Sequence, residues 1–267
     1  MTSDQARARI IVALDVDSIE RARLLYKVLA PTGVSFKLGL EFLFSVLANL
    51  MSRPNREAEA DFWEARTLFE QLEKYLFTDV KFHDIPNTVS GATKAICQSQ
   101  PCIVTVHAQG GGAMMQAART TIDENFPVGA FKPLLAAVTV LTSLDDKDLR
   151  DTGYGIGVPE EVELRPLIVR RLAELAQQNE CDGVIASAND IETIRETCGL
   201  NFGIWTPGVR LPGSNAADQK NVATPGEAIA RGATGVVIGR DITKSADPVE
   251  AVELVIQNIV ETIGKTI

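Results

Sequence analysis

The sequence lacks the features that mark membrane, disulfide-bonded and zinc-binding proteins. No apolar run approaches the ~20 residues of a membrane span, and the run Ile10–Leu14 ends at Asp15. The chain has only two histidines, and none of its four cysteines forms a CxxC pair. We therefore expect a cytosolic protein with reduced, mostly buried thiols and no zinc site. The cysteines are Cys97, Cys102, Cys181 and Cys198.

Positive charge is scarce as well. Lys and Arg total 26 against 35 Asp and Glu, which gives a net charge of −9. Such a balance repels phosphate backbones and anionic lipids, so we expect neither nucleic acid nor a membrane as a partner. With 45% hydrophobic and 23% charged residues, the 267-residue composition excludes disorder, collagen and coiled coils. A single α/β barrel of about 250 residues fits this length.

Short β-branched runs alternate with helical patterns along the chain, which is typical of repeated βα units and a parallel sheet. Eight such strands close a barrel. We therefore predict an α/β protein with one (β/α)8 TIM-barrel domain over residues 1–267. The predicted strands are Ile10–Leu14, Val34–Leu38, Leu76–Phe82, Ile103–Val106, Leu134–Leu141, Gly183–Ala186, Phe202–Trp205 and Gly235–Ile238.

Polar residues in front of apolar-periodic segments mark four helix starts. One stretch, about residues 51–75, is longer than a βα unit needs and carries six acidic residues from Glu57 to Glu73. Its apolar residues follow helical spacing, so we predict an added surface helix there. The four helix starts are Asp17-Ser18, Asn87-Thr88, Asn189-Asp190 and Asp247-Pro248.

The active site of such a barrel lies at the C-terminal ends of its strands, and polar residues accumulate there in this chain. Each one alone has a structural alternative as a cap, a solvent-directed lysine or an ion-pair partner. Their shared position favours a functional role. For His83 and His107 we favour hydrogen-bonded structural roles over those of acid, base or metal ligand. The strand-end residues are Asp15, Lys37, Lys81, Asp84, His107, Thr142, Ser143, Pro207 and Arg240.

The densest polar cluster is Phe77–Thr88. Asp79 and Lys81 are two residues apart on a predicted strand, so their side chains share a face, while Val80 and Phe82 point to the other. A buried ammonium beside carboxylates is retained as an ion and held in a fixed direction. A plain internal salt bridge is the alternative interpretation.

A second cluster follows the predicted seventh and eighth strands, in Trp205–Gln219 and Gly235–Asp241. These loops form the usual phosphate site of barrels, from N–H groups at a glycine turn and a helix start. Arg240 adds a bidentate donor. The stretch Arg210–Asp218 is either an ordinary surface loop or a lid that closes over the phosphate.

These residues form separated motifs that, in combination, are specific. The motifs are ALD at Ala13–Asp15, FKxG at Phe36–Gly39, DxKxxDIPNT at Asp79–Thr88, TVLTS at Thr139–Ser143, TPGxR at Thr206–Arg210, DQ at Asp218-Gln219 and GR at Gly239-Arg240. With them the sequence resembles the orotidine 5′-phosphate decarboxylase family over nearly its whole length. The resemblance is to the free-standing bacterial type, with no fused phosphoribosyltransferase domain. It departs at Ala217, where a glycine is common, and in the longer segment 51–75.

The resemblance implies decarboxylation of orotidine 5′-phosphate to uridine 5′-phosphate in pyrimidine synthesis, in the cytoplasm and without cofactor or metal. Lys81 would stabilise and protonate the carbanion, beside Asp79. A homodimer is implied, in which Asp84 and Thr88 reach into the partner's site. The remaining implied roles are catalysis with Lys37 and Asp84, ribose binding by Asp15 and Lys37, a pyrimidine contact from Ser143, ring packing by Pro207, and phosphate binding by Gln219, Gly239 and Arg240.

Two alternatives remain open from the sequence. A metal-dependent sugar-phosphate decarboxylase on the same scaffold would share the DxKxxD cluster but lack the pyrimidine-binding elements, and magnesium dependence would distinguish it. A non-catalytic barrel that binds a phosphoribosyl group is the other. Lys81 paired with Asp79 argues against it, because a sensor has no need of a desolvated proton donor.

Overall fold

The computed structural model describes residues 1–52, 55–72, 75–127, 129–212 and 223–266. Within them, eight parallel strands form a closed barrel in chain order, with the eighth paired to the first. The predicted TIM-barrel fold is confirmed, and the strand ends differ from the predicted ones by at most three residues. The strands are β1 (Ile10–Ala13), β2 (Ser35–Gly39), β3 (Leu76–Phe82), β4 (Ile103–His107), β5 (Leu134–Val138), β6 (Gly183–Ile185), β7 (Gly203–Pro207) and β8 (Gly235–Ile238).

Helices surround the barrel in the described chain. Three of the predicted starts agree with the structure, but the one at Asn87-Thr88 is wrong. That helix begins at Pro86 with Ile85 as its N-cap, because the fixed φ of proline suits the first helical position. The helices are α1 (Ser3–Arg7), α2 (Ile19–Leu29), α3 (Leu40–Ser52), α4 (Asn55–Leu72), α5 (Pro86–Cys97), α6 (Gly112–Asn125), α7 (Asp146–Asp151), α8 (Leu164–Gln178), α9 (Ile191–Cys198), α10 (Pro225–Ala230), α11 (Arg240–Thr243) and α12 (Pro248–Thr266).

Two apolar layers hold the barrel together. Side chains alternate along each strand between the barrel interior and the layer beneath the helices. On β1, for example, Val12 packs in the outer layer, whereas Ile11 and Ala13 face the interior. The interior set closes the barrel below the polar strand ends. It consists of Ile11, Ala13, Phe77, Ile103, Ala136, Val138, Ile185, Trp205 and Val237.

The long segment 51–75 contributes the end of α3 and all of α4. α4 is amphipathic, and Ala65, Leu68 and Leu72 are buried against the neighbouring helices. Its outer positions include Phe62 and Trp63, which are about half exposed. The helix therefore packs on the outside of the barrel, against α2 and α3.

The cysteines are free thiols. Burial raises the pKa of Cys97 to about 11 and that of Cys181 to about 12, so both are protonated at neutral pH. Across the part of the chain that the structure describes, no helix combines the length and apolarity needed to cross a bilayer.

Candidate active site

A cavity of about 350 Å³ opens at the C-terminal ends of the strands. Interior barrel residues, among them Phe77 and Val138, form its apolar floor. Two groups of residues line its rim. We call the first the charged side; it consists of Asp15, Lys37, Asp79 and Lys81. We call the second the β7–β8 side; it consists of Pro207, Gly208, Arg210, Gly239 and Arg240.

The charged side is a chain of ion pairs supplied by β2, β3 and the end of β1. Lys37 Nζ lies 2.8 Å from Asp15 Oδ1 and 3.2 Å from Asp79 Oδ2. Lys81 Nζ lies 2.6 Å from the same Asp79 oxygen. The order Asp15, Lys37, Asp79, Lys81 therefore alternates in sign, and one carboxylate oxygen joins the two ammonium groups.

Burial and charge oppose each other at the centre of this chain. Burial raises the pKa of the Asp79 carboxyl, but the ammonium groups of Lys37 and Lys81 outweigh it and leave that pKa below its usual value. Burial lowers the pKa of the Lys37 ammonium, and Asp79 with Asp15 more than offset it, so the pKa is raised. Lys37 and Asp79 are thus both charged at neutral pH.

A bulge in β3 brings Asp79 and Lys81 to the cavity. Between two regular pairs of the ladder, residues 79–81 of β3 lie opposite the single β4 residue Thr105. Lys81 has a φ of +49°, a region that side chains other than glycine rarely adopt. Asp79 and Lys81 share the cavity face as predicted, but through a strained bulge and not through a regular strand.

Gly39 leaves the space in which Lys37 and Asp15 meet. A Cβ at this position would lie 2.9 Å from Lys37 Nζ and 3.0 Å from Asp15 Oδ1. Both distances are shorter than ordinary van der Waals contacts, so a side chain here would displace the ion pair. The glycine of the FKxG motif thus acts through the site, a role that the sequence alone did not assign.

The β7–β8 side is built from the end of β7 and from the residues that follow β7 and β8. Gly208 has a φ of +78° and turns the chain after β7, while Arg240 begins α11 directly after β8. Arg210 Nη1 donates to Asp241 Oδ1 at 2.9 Å, and the N–H of Leu211 donates to the other oxygen at 3.2 Å. This pair links the two loops. The sequence pattern did not predict it, although Arg210 and Asp241 both stand in the second polar cluster.

Three of the other predicted site residues, Asp84, Thr88 and Ser143, do not line the cavity. Asp84 and Thr88 are exposed, and Asp84 accepts the N–H of Ile85 at 2.7 Å. Ser143 is exposed in the turn after β5, next to Thr142, which lines the cavity. Gln219, Ala217 and most of the predicted lid lie outside the described residues.

The two histidines stack on each other beside the charged side. Their ring centroids are 5.4 Å apart with an interplanar angle of 29°. Burial, His83 and Lys81 lower the pKa of His107 to about 4, so it is neutral at neutral pH. The expectation of a hydrogen-bonded structural role is wrong for His107 Nδ1, which is buried with no hydrogen-bond partner among the described residues. The contact that His107 makes instead is the stacking of its ring on His83.

In the described portion of the chain, no group of three or more His, Cys, Asp or Glu side chains is arranged to hold a metal ion.

The fold and the site together define a (β/α)8-barrel enzyme with a buried lysine–carboxylate network at the mouth of the barrel. A family model described as orotidine 5′-phosphate decarboxylase / HUMPS family matches residues 8–255. The chain belongs to this family.

Named relatives agree over nearly full lengths. The chain is 42% identical over 255 residues to the orotidine 5′-phosphate decarboxylase of Moorella thermoacetica, covering 95% of this chain and 93% of that protein. To the enzyme of the same name from Rhodospirillum rubrum it is 41% identical over 252 residues, covering 94% of each. The crystal structure of orotidine 5′-phosphate decarboxylase from Lactobacillus acidophilus matches with a TM-score of 0.74 at 31% identity, covering 94% and 99%.

Proposed function

We propose that this protein is an orotidine 5′-phosphate decarboxylase, a carboxy-lyase that forms uridine 5′-phosphate and CO2 without a cofactor. The observation that carries the proposal is the charged side of the cavity, where Lys81 Nζ stands 2.6 Å from Asp79. A cavity of about 350 Å³ extends from there to Arg240. It thus combines an ammonium at one part of its rim with a cationic anchor at another.

The reaction breaks the bond between the pyrimidine ring and its carboxylate. CO2 leaves, and the electron pair stays on the ring carbon as a carbanion with no adjacent electron sink, so the protein has to stabilise it by charge. The ammonium of Lys81 supplies that charge and then donates the proton that replaces CO2. Lys37 holds Asp79 in place and, with Asp15, binds the ribose hydroxyls.

Asp79 contributes through repulsion. Its carboxylate lies next to the place where the substrate carboxylate would bind, and two like charges ~4 Å apart at an effective dielectric of ~20 repel by about 4 kcal/mol. Loss of CO2 relieves this repulsion. Since both ammonium groups contact Asp79 Oδ2, the carboxylate remains charged while the substrate binds.

The β7–β8 side anchors the phosphate. Arg240 and the backbone at Gly239 bind the dianion together with Gln219, and Pro207 packs near the ring. The phosphate does not react, yet its binding energy stabilises the transition state by ordering the charged groups. Ser143, beside the cavity-lining Thr142, contacts the pyrimidine edge.

The functional unit we propose is a cytoplasmic homodimer. Asp84 is exposed and lies between Lys81 and the start of α5, and the neighbouring Ile85 is 65% exposed. An exposed carboxylate and a large exposed apolar residue beside a site suit an isologous interface. Asp84 and Thr88 of each subunit then complete the partner's site. The free cysteines suit a reducing compartment.

The reaction is tested by following the ultraviolet absorbance of orotidine 5′-phosphate with purified protein in excess EDTA. We expect rapid conversion to uridine 5′-phosphate that added magnesium does not accelerate. Failure of conversion, with turnover of a sugar-acid phosphate on addition of magnesium, would reassign the chain to a neighbouring lyase activity of the same scaffold.

The shared site is tested by mixing two inactive variants, Lys81→Ala and Asp84→Ala. Each mixed dimer would contain one intact site and one site with both substitutions. Random reassortment therefore restores about a quarter of wild-type activity. No restoration after demonstrated subunit exchange would place Asp84 in its own subunit's site or outside the mechanism.

A further inference from the structure

Thr105 is a polar residue between two valines of β4. It is fully buried, and the alternation of the strand directs it into the barrel between Ile103 and His107. Its hydroxyl accepts the N–H of Lys81 at 2.9 Å and donates to Asp79 Oδ1 at 3.2 Å. A hydroxyl carries one donor and can accept as well. Both capacities are therefore used on the charged side.

The register explains why a hydroxyl is needed at this position. Because residues 79–81 of β3 lie opposite Thr105 alone, the regular ladder between β3 and β4 is interrupted at the bulge. The N–H of Lys81, at a φ of +49°, takes the side chain of Thr105 as its partner. A buried N–H without a partner is costly, so this hydrogen bond favours the strained backbone.

The same hydroxyl orients Asp79. The two carboxylate oxygens have different partners: Oδ2 contacts the ammonium groups of Lys37 and Lys81, and Oδ1 accepts from Thr105. With both oxygens held, the plane of the carboxylate is fixed, and the positions of the two ammonium groups follow from it.

We propose that Thr105 is a positioning residue for the reaction: one hydroxyl holds the backbone of Lys81 and the carboxylate of Asp79 in their working geometry. Thr105 acts from beneath, since it is fully buried and absent from the cavity lining. The inference rests on the proposed function, because the working geometry is that of the proposed decarboxylation.

The test compares Thr105→Ser, Thr105→Ala and Thr105→Val. Serine and alanine both remove the methyl group and differ only in the hydroxyl, so this pair isolates the oxygen even if the valine variant folds poorly. We expect Thr105→Ala and Thr105→Val to lower kcat by about 10- to 100-fold with little change in KM. Thr105→Ser retains most of the activity. Equal kcat values for Thr105→Ser and Thr105→Ala would overturn the proposal.

Thr93→Val is the matched control, because Thr93 on α5 is also fully buried and its hydroxyl has no hydrogen-bond partner among the described residues. It should leave kcat unchanged.

Crystal structures of the wild type and Thr105→Ala give a readout that needs no substrate. We expect Asp79 to rotate and the bulge at Lys81 to shift. An unchanged geometry would refute the positioning role, whereas absence of wild-type turnover would refute the decarboxylase proposal instead.

Discussion

The two polar sides of the cavity are built differently. On the charged side, Lys37 and Asp79 lie within β2 and β3, are 7% exposed, and contact each other through an ion pair. On the β7–β8 side, the polar groups follow their strands, and Arg240 is exposed at the start of a short helix. One side is therefore fixed by the barrel, and the other depends on loops.

This difference matches the proposed division of labour. Groups that act on reacting atoms require positions accurate to a fraction of an ångström, which packed strands provide. A phosphate that does not react requires capture, and loop groups can close on it after it binds. We therefore expect substitutions on the charged side to act on kcat, and substitutions on the β7–β8 side to depend on the phosphate.

Lys81→Ala should have the largest effect. Removing both the proton donor and the adjacent positive charge lowers kcat by at least about 10⁴-fold. The fold should persist, because the side chain is partly exposed and Asp79 keeps Lys37 as a partner. Turnover and thermal unfolding are measured together, with Lys147→Ala, an exposed lysine of α7, as the control. Substantial remaining turnover would mean that another group supplies the proton.

Arg240→Ala should have the second-largest effect on activity. Loss of two charge-assisted hydrogen bonds to the phosphate lowers kcat/KM by about 10²- to 10⁴-fold. The informative control is orotidine, which lacks the phosphate. Wild type and variant should process this nucleoside at equal, low efficiency. A deficit with orotidine as well would show that Arg240 acts beyond phosphate binding and would remove the contrast between the two sides.

Asp79→Asn should reduce stability. Leaving the buried ammonium of Lys37 and the partly exposed ammonium of Lys81 around a neutral amide costs about 3 kcal/mol. The Asp79 pKa is lowered in the folded state, so its stabilising effect is present above the unfolded value near 4 and is lost as pH falls through the folded pKa. Denaturant unfolding should show a constant difference from wild type between pH 5 and 8 that shrinks below about pH 4. Equal stability at pH 7 contradicts this account.

Gly39→Ala tests the charged side with a smaller structural change. The added methyl displaces the Lys37–Asp15 pair, and we expect kcat/KM to fall by about tenfold with the fold retained. Gly91→Ala on α5 is the control, since a Cβ there meets nothing within 4 Å. If Gly39→Ala keeps full activity, the lysine accommodates the methyl without loss of function.

The eight strands could be predicted because β-branched runs and helical periods depend on local sequence. The same is true of the polar strand ends, since the barrel places them on one face. The helix start at Pro86 was missed because Asn87 and Thr88 are good caps, and only the backbone geometry shows that the proline occupies the first turn.

The bulge at Lys81 could not be read from the sequence. Regular alternation already places Asp79 and Lys81 on one face, so nothing in the spacing indicates that β3 carries extra residues opposite Thr105. The stacking of His83, which follows β3, on His107 of β4 likewise depends on the pairing of these two neighbouring strands. A hydroxyl within the apolar run of β4 was the one available signal, and its partners depend on register.

Ser143→Ala should have the smallest effect. It tests whether the turn after β5, which lies outside both the charged side and the β7–β8 side, contributes to binding of the pyrimidine ring. Ser143 is exposed in the turn after β5 beside Thr142, so it can reach a ring that spans the cavity only from the edge. Loss of one neutral hydrogen bond lowers kcat/KM by about 5- to 10-fold. Ser52→Ala at the end of α3 is the control. Inhibition of turnover is then compared between uridine 5′-phosphate and a ribose phosphate without a pyrimidine, and the difference separates ring binding from phosphate binding. If the variant loses no preference for the pyrimidine, the ring is recognised by the backbone of the β5 turn and not by this hydroxyl.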